Sequence, residues 1–111
     1  MSITPDLLRG HTDTIILAHL WRRDSYGYEI NKAIIEKTKN QYELKEATLY
    51  SAFRRLEEAG IITSYWGDEA TGARRRYYAI TDLGRHVFRK NKSDWEETKT
   101  IIDQLLKEES V

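Results

Sequence analysis

The run EATLYSAFRRLEEAGIITSYWGDEATGARRRYYAI, residues 46–80, holds a helical pattern, a glycine stop and a strand-turn-strand pattern in immediate succession. With Leu49 at zero on a wheel of about 100° per residue, Ala52, Phe53, Leu56 and Gly60 fall within about 60° of it. Ala47, Ser51, Arg54 and Glu58 lie opposite, so one face of this helix is core and the other is wet. Gly60 ends it as a C-cap. Ile61 to Trp66 is β-branched and aromatic enough for a strand, residues 67–72 are a polar turn, and Arg74 to Ile80 returns as a second strand.

Upstream, Thr4, Pro5 and Asp6 read as an N-cap, an N1 proline and a first-turn acid of a helix that continues to about Arg23 and could break at Gly10. Asp24 or Ser25 is expected to cap a second helix, whose Tyr28, Ile30, Ala33 and Ile34 make a 3-and-4 spaced face fading near Thr38. A brief strand is expected at Tyr42 to Leu44. Downstream, Thr81 and Asp82 cap a last helix of about 25 residues. Its Phe88, Asn91, Trp95, Thr98, Ile102 and Leu105 are spaced 3, 4, 3, 4, 3, the interval of a coiled-coil seam. Such a helix favours a partner, and packing on its own domain is the plainer alternative.

The chain has 111 residues, 40% hydrophobic and 32% charged, with no cysteine. That composition excludes a large enzyme, a disulfide framework and a disordered chain, and no apolar run approaches the roughly 18 residues of a membrane span. Met1 to Arg9 lacks the pattern of an export signal, so the expectation is a cytoplasmic protein with no membrane partner. Net charge is zero, but Asp94 to Val111 carries six acids against two bases, leaving +4 on the rest. Surfaces of opposite sign can serve separate partners.

Three helices followed by a hairpin is the order of a winged helix-turn-helix, in which the third helix enters the major groove and the hairpin lies along the backbone. The expected fold is therefore mainly α (α+β): a winged helix-turn-helix DNA-binding domain with a two-stranded wing over residues 1–81, and a long C-terminal dimerisation helix over 82–111. The DNA-binding candidates are Lys45, Thr48, Tyr50, Ser51, Arg54 and Arg55 on the third helix and Arg74, Arg75 and Arg76 on the wing, side chains that donate to phosphates or read base edges. Pairing of Arg54 and Arg55 with Glu57 and Glu58 on an ordinary solvated face would explain the same helix letters. Three adjacent guanidinium groups repel unless an anion lies nearby, and the wing decides for phosphate, with Asp68 or Glu69 available to pair with any that do not reach it. Tyr77 and Tyr78 are expected to pack, one on the core and one on Tyr65 or Trp66 across the hairpin.

No catalytic constellation accompanies these residues, since His11, His19 and His86 are scattered without metal-ligand spacing and no glycine-rich phosphate loop occurs. The expectation is no enzyme, no metal and no cofactor; the alternative function is a winged-helix protein-interaction module without DNA binding. Trp95 is isolated among polar neighbours. Facing its symmetry mate, it could clamp a flat apolar molecule, with Asp13 lining the same space and Lys99 arguing against a cation preference; packing on the first helix of its own or the partner subunit is the plainer alternative.

The strings Tyr26-Gly27-Tyr28-Glu29-Ile30, Glu46-Ala47-Thr48-Leu49-Tyr50, Arg54-Arg55-Leu56-Glu57 with Gly60-Ile61-Ile62, and Gly72 through Gly84 resemble the PadR family of bacterial transcriptional regulators, and the single last helix resembles its short subfamily. The resemblance implies a homodimeric repressor on a palindromic double-stranded operator, controlling a transporter or a detoxification or stress gene. It implies that the last helix makes the dimer, through Phe88, Trp95, Thr98, Ile101, Ile102 and Leu105. Trp95 matches the position at which the multidrug-binding members carry a tryptophan, which implies relief of repression by a small planar aromatic ligand.

Overall fold

A computed structural model of the protein describes residues 5–67 and 74–108. The expected Thr4 cap, the tip of the hairpin and any pairing by Asp68 or Glu69 lie outside the described residues. The order is α1 (Pro5–Leu8), a 3-10 turn (Arg9–His11), α2 (Thr12–Arg22), α3 (Gly27–Lys37), α4 (Glu46–Glu58), β1 (Ile62–Trp66), β2 (Arg76–Ile80) and α5 (Asp82–Leu106). This is the winged helix-turn-helix expected, with the first helix broken at Gly10 and both strands starting one or two residues later than their composition suggests.

The core is built from the apolar faces of α2, α3 and α4 with the hairpin. Ile16, Leu17 and Leu20 of α2, Ile30 and Ile34 of α3, Leu49, Ala52, Phe53 and Leu56 of α4, and Ile62 and Tyr78 of the hairpin are buried together. Phe53 stacks on Tyr78 with ring centroids 3.9 Å apart, so α4 and the hairpin share one aromatic pair. Val87 and Phe88 press on the rim of this core, and Phe88 tilts against Trp21 at 5.3 Å, which binds the first half of α5 to α2.

Polar devices set the turns. The Asn31 amide straddles Leu44, donating from Nδ2 to its carbonyl (2.7 Å) and accepting its N–H at Oδ1 (2.8 Å). Both backbone groups of Leu44 are thereby taken, and residues 42–44 form no strand, contrary to the expectation from their composition. The Thr38 hydroxyl donates to Ile34 O at 2.8 Å and accepts the Tyr42 N–H at 3.1 Å, closing the same turn. No side chain caps α3: Asp24 is turned to the wing and Ser25 is buried behind the helix start.

The join to α5 is tight. Gly60 takes φ 75°, a left-handed conformation that glycine adopts without strain. Thr81 accepts the Gly84 N–H at 3.0 Å as the N-cap, and its own hydroxyl lies 2.7 Å from Gly60 O and 2.9 Å from Ile61 O. One side chain thus caps α5 and ties it to the end of α4. The antiparallel hairpin pairs Ile62 with Ile80 and Trp66 with Arg76. Ser25 extends the sheet by one bridge, exchanging both backbone hydrogen bonds with Tyr78 (3.1 and 2.7 Å), so the segment ahead of α3 is fastened to the wing strand.

Candidate nucleic-acid interface

The amphipathic pattern of α4 leaves Lys45, Thr48, Tyr50, Ser51, Arg54 and Arg55 exposed while Leu49, Ala52, Phe53 and Leu56 face inward. Tyr50 is held edge-on to Phe53 at 5.6 Å, and its hydroxyl end lies over Gly27, where a side chain would meet it at 2.8 Å. The helix-turn-helix therefore fixes the direction of Tyr50 by packing.

The wing presents its arginines on aromatic supports. Arg74 and Arg76 lie over the Trp66 ring at 5.3 and 5.5 Å, and Arg75 lies over Tyr26 at 4.8 Å. Alternation along a strand predicts this split, with Arg75 opposite in direction to its neighbours. A guanidinium stacked on an aromatic face can still direct N–H groups of its edge at an oxyanion. These groups converge: the wing arginines and Trp66 on one side and Tyr26, Tyr28 and Tyr50 on the other enclose an open groove of about 710 Å³. Its wall is cationic and aromatic, a chemistry suited to a phosphate backbone.

Two carboxylates beside the wing, Glu57 and Asp24, are engaged by side chains of the hairpin. Glu57 accepts from the Ser64 hydroxyl at 2.6 Å and lies 3.8 Å from Arg76, bracing the base of the wing. The Asp24 carboxylate accepts from the Tyr65 phenol at 2.6 Å, a hydrogen bond that holds Tyr65 protonated above its usual range. Tyr77 stacks on Tyr65 at 5.7 Å, and Tyr78 is buried, where desolvation raises its phenol. Arg55 does not pair along its own helix. Its Nη2 donates to Asp13 of α2, 42 residues away, a contact without a signal in sequence spacing.

A second cluster unites a histidine, a serine and a glutamate, the residue types of a hydrolytic site. Ser25 Oγ donates to Glu29 at 2.5 Å and lies 3.2 Å from His19 Nε2. The serine proton is committed to Glu29, so the histidine nitrogen donates. Ser25 is fully buried between its partners, and no substrate can approach it. The cluster anchors the Ser25 bridge to Tyr78. Burial lowers the His19 pKa below its usual value, against the opposing pull of Glu29.

On the far side, His11, Asp13, Asp94 and Trp95 line a cavity of about 230 Å³ between the start of α2 and the middle of α5. Trp95 stands edge-on to His11 at 4.9 Å with 43% of its surface exposed. The structure thus brings Trp95 and Asp13 to one space and places Phe88 within the chain's own packing. Beyond Trp95, Thr98, Ile101, Ile102, Leu105 and Leu106 continue an exposed face. Among the described residues no helix is long and apolar enough to cross a membrane.

Comparison with known proteins agrees with this geometry. A transcriptional regulator from Clostridium thermocellum has a structure similar to this one, with a TM-score of 0.86, 50% identity, and coverage of 95% of this chain and 99% of that one. A PadR family transcription regulator from Clostridium difficile is similar at a TM-score of 0.75 and 35% identity, over 87% of this chain and 99% of that one. An uncharacterized protein from Lysinibacillus sphaericus is 43% identical over 94% of this chain and 95% of its own length. The sequence profile of the transcriptional regulator PadR-like family matches residues 16–90, which run from the core of α2 through the helix-turn-helix and the wing into α5. The chain belongs to the PadR-like family, whose members are DNA-binding transcriptional regulators rather than enzymes.

Proposed function

We propose that two copies of the chain act in the cytoplasm as a repressor that binds a palindromic operator. In this reading Lys45 ahead of α4 and Thr48, Tyr50, Ser51, Arg54 and Arg55 of α4 enter the major groove and Arg74 to Arg76 follow the backbone. The supporting observation is the convergence of the wing arginines with Tyr50 of α4 and with Tyr26 and Tyr28 at the start of α3 on one cationic groove. Residues 82–111 form the dimerisation segment. The exposed Ile101, Ile102, Leu105 and Leu106 favour this, because an uncovered apolar face on a charged helix is stabilised by a second copy. Two recognition helices then read half-sites about 34 Å apart.

The regulated gene is a transporter or a detoxification or stress gene, and a small planar aromatic ligand at Trp95 and Asp13 relieves repression. Support for the ligand is the cavity these residues line together.

The test is a gel shift of the purified protein on DNA from upstream of its own gene across a salt series. About four phosphate contacts per subunit predict a log–log slope near −7, from about 0.9 per contact. A salt-independent shift overturns the interface. Charge reversal at Arg54 and Arg75 abolishes the shift if α4 and the wing hold DNA, and leaves function intact if the chain is instead a protein-binding module. Trp95→Phe removes the fluorescence response to a planar aromatic ligand if Trp95 is the site.

A further inference from the structure

We propose that Asp13 is one carboxylate shared by the Trp95 cavity and by Arg55 of the recognition helix, so that an aromatic cation entering the cavity competes with Arg55 for it. The inference rests on the reading of α4 as the DNA-contacting helix and of Trp95 as the ligand site. Asp13 stands in the first turn of α2. It lines the cavity with His11, Asp94 and Trp95, and its Oδ1 also accepts from Arg55 Nη2. Arg55 lines a separate concavity of about 480 Å³ with Arg9, Thr48 and Ser51 on the wet face of α4. Asp13 is thus the acid that joins the cavity to the recognition helix.

The charges around the cavity select the ligand class. Lys99, which on sequence grounds argues against a cation, is turned to Glu96 at 3.2 Å and does not line the space. Asp94 is engaged by Lys90 at 2.9 Å. An indole with Asp13 beside it suits a cation carried on an aromatic group.

Asp13 is a positioning residue for DNA. It occupies one of the five donors of a planar guanidinium, fixes the fork, and leaves the remaining donors for a phosphate. The side chains of the pair are 57% and 36% exposed, so the interaction is weak enough for a bound cation to displace. Once Asp13 turns to the ligand, Arg55 regains its rotamer freedom and DNA affinity falls. Linkage requires the reciprocal effect of DNA on the ligand.

The experiment titrates the full-length protein with benzyltrimethylammonium and with its uncharged carbon isostere, neopentylbenzene, following the Trp95 indole N–H resonance assigned by Trp95→Phe. Arg55→Ala is expected to tighten cation binding about two- to fivefold by freeing Asp13, and to leave the neutral isostere unchanged. Asp13→Asn is expected to weaken the cation and to erase the Arg55→Ala effect. Unchanged cation affinity in Arg55→Ala overturns the proposal, as does equal tightening of cation and isostere, which marks a cavity merely opened by the substitution. A wild-type protein that shows no Trp95 shift with the cation also overturns it. Gel shifts on the same preparations judge the DNA-binding reading separately, and far-UV circular dichroism melts confirm that each variant is folded.

Discussion

Gly84→Ala tests whether the junction of wing and α5 is as tight as its geometry requires. A Cβ on Gly84 would sit 2.2 Å from the Ile61 carbonyl oxygen and 2.7 Å from Ile80 Cγ1. Carbon–oxygen approaches settle at about 3.3 Å, so α5 must retreat by about 1 Å. That movement takes the Thr81 hydroxyl, now 2.7 Å from Gly60 O and 2.9 Å from Ile61 O, out of good hydrogen-bonding distance. Overpacking costs about 2 kcal/mol and the loosened hydrogen bonds about 2 kcal/mol together. The better helix propensity of alanine returns about 1 kcal/mol. The net loss is about 3 kcal/mol, or about 12 °C in Tm at about 4 °C per kcal/mol for a domain of this size. Urea unfolding followed by far-UV circular dichroism at fixed protein concentration measures it. Gly10→Ala is the control, because a Cβ there has nothing within 4 Å; it should leave stability equal or raise it by up to about 1 kcal/mol. A Gly84→Ala protein within about 0.5 kcal/mol of wild type refutes the reasoning.

Arg74→Ala should weaken DNA binding on operator and unrelated DNA alike and make the salt slope shallower by about 0.9 for each phosphate no longer neutralised, read by anisotropy titrations; a change confined to the operator would contradict a backbone role. If α5 pairs two copies as proposed, wild type should sediment as a dimer at micromolar concentration and Ile102→Glu as a monomer, with the circular dichroism spectrum intact. His19 is held neutral by burial, with its folded pKa below the unfolded value near 6.5. Its contribution is therefore complete above that value and is lost as pH falls through the folded pKa, so His19→Gln should flatten the stability profile on the acid side of neutrality. A wild-type profile with the same slope as the variant would show that His19 is not responsible.

The parts of the fold that can be read from sequence are those governed by neighbours in the chain. The wheel of α4, the Gly60 stop and the Thr81 cap all act within a few residues, and each is found where its chemistry places it. Residues 42–44 have strand composition but no strand, because Asn31, on another helix, takes both backbone groups of Leu44. The Ser25 bridge to Tyr78 leaves no trace in the sequence for the same reason: one residue pair carries no periodicity. At the interface, residue types mark α4 and the wing arginines as candidates. The aromatic partners Trp66 and Tyr26 and the Arg55–Asp13 pair depend on tertiary approach. Glu57 and Glu58 have the spacing of partners for the helix arginines, yet Glu57 braces the wing instead.

The 25 residues of α5 span about 37 Å at 1.5 Å per residue. Because Thr81 clamps the near end of this rod to the DNA-reading domain, the domain and the rod turn together. A tilt of only about 5° about the far end sweeps the recognition helix through about 3 Å, close to one base-pair step of 3.4 Å. In the proposed dimer, a pivot at the far end would act as a vernier on the distance between the two halves of an operator. A displacement of that size would put one half-site out of phase with the other.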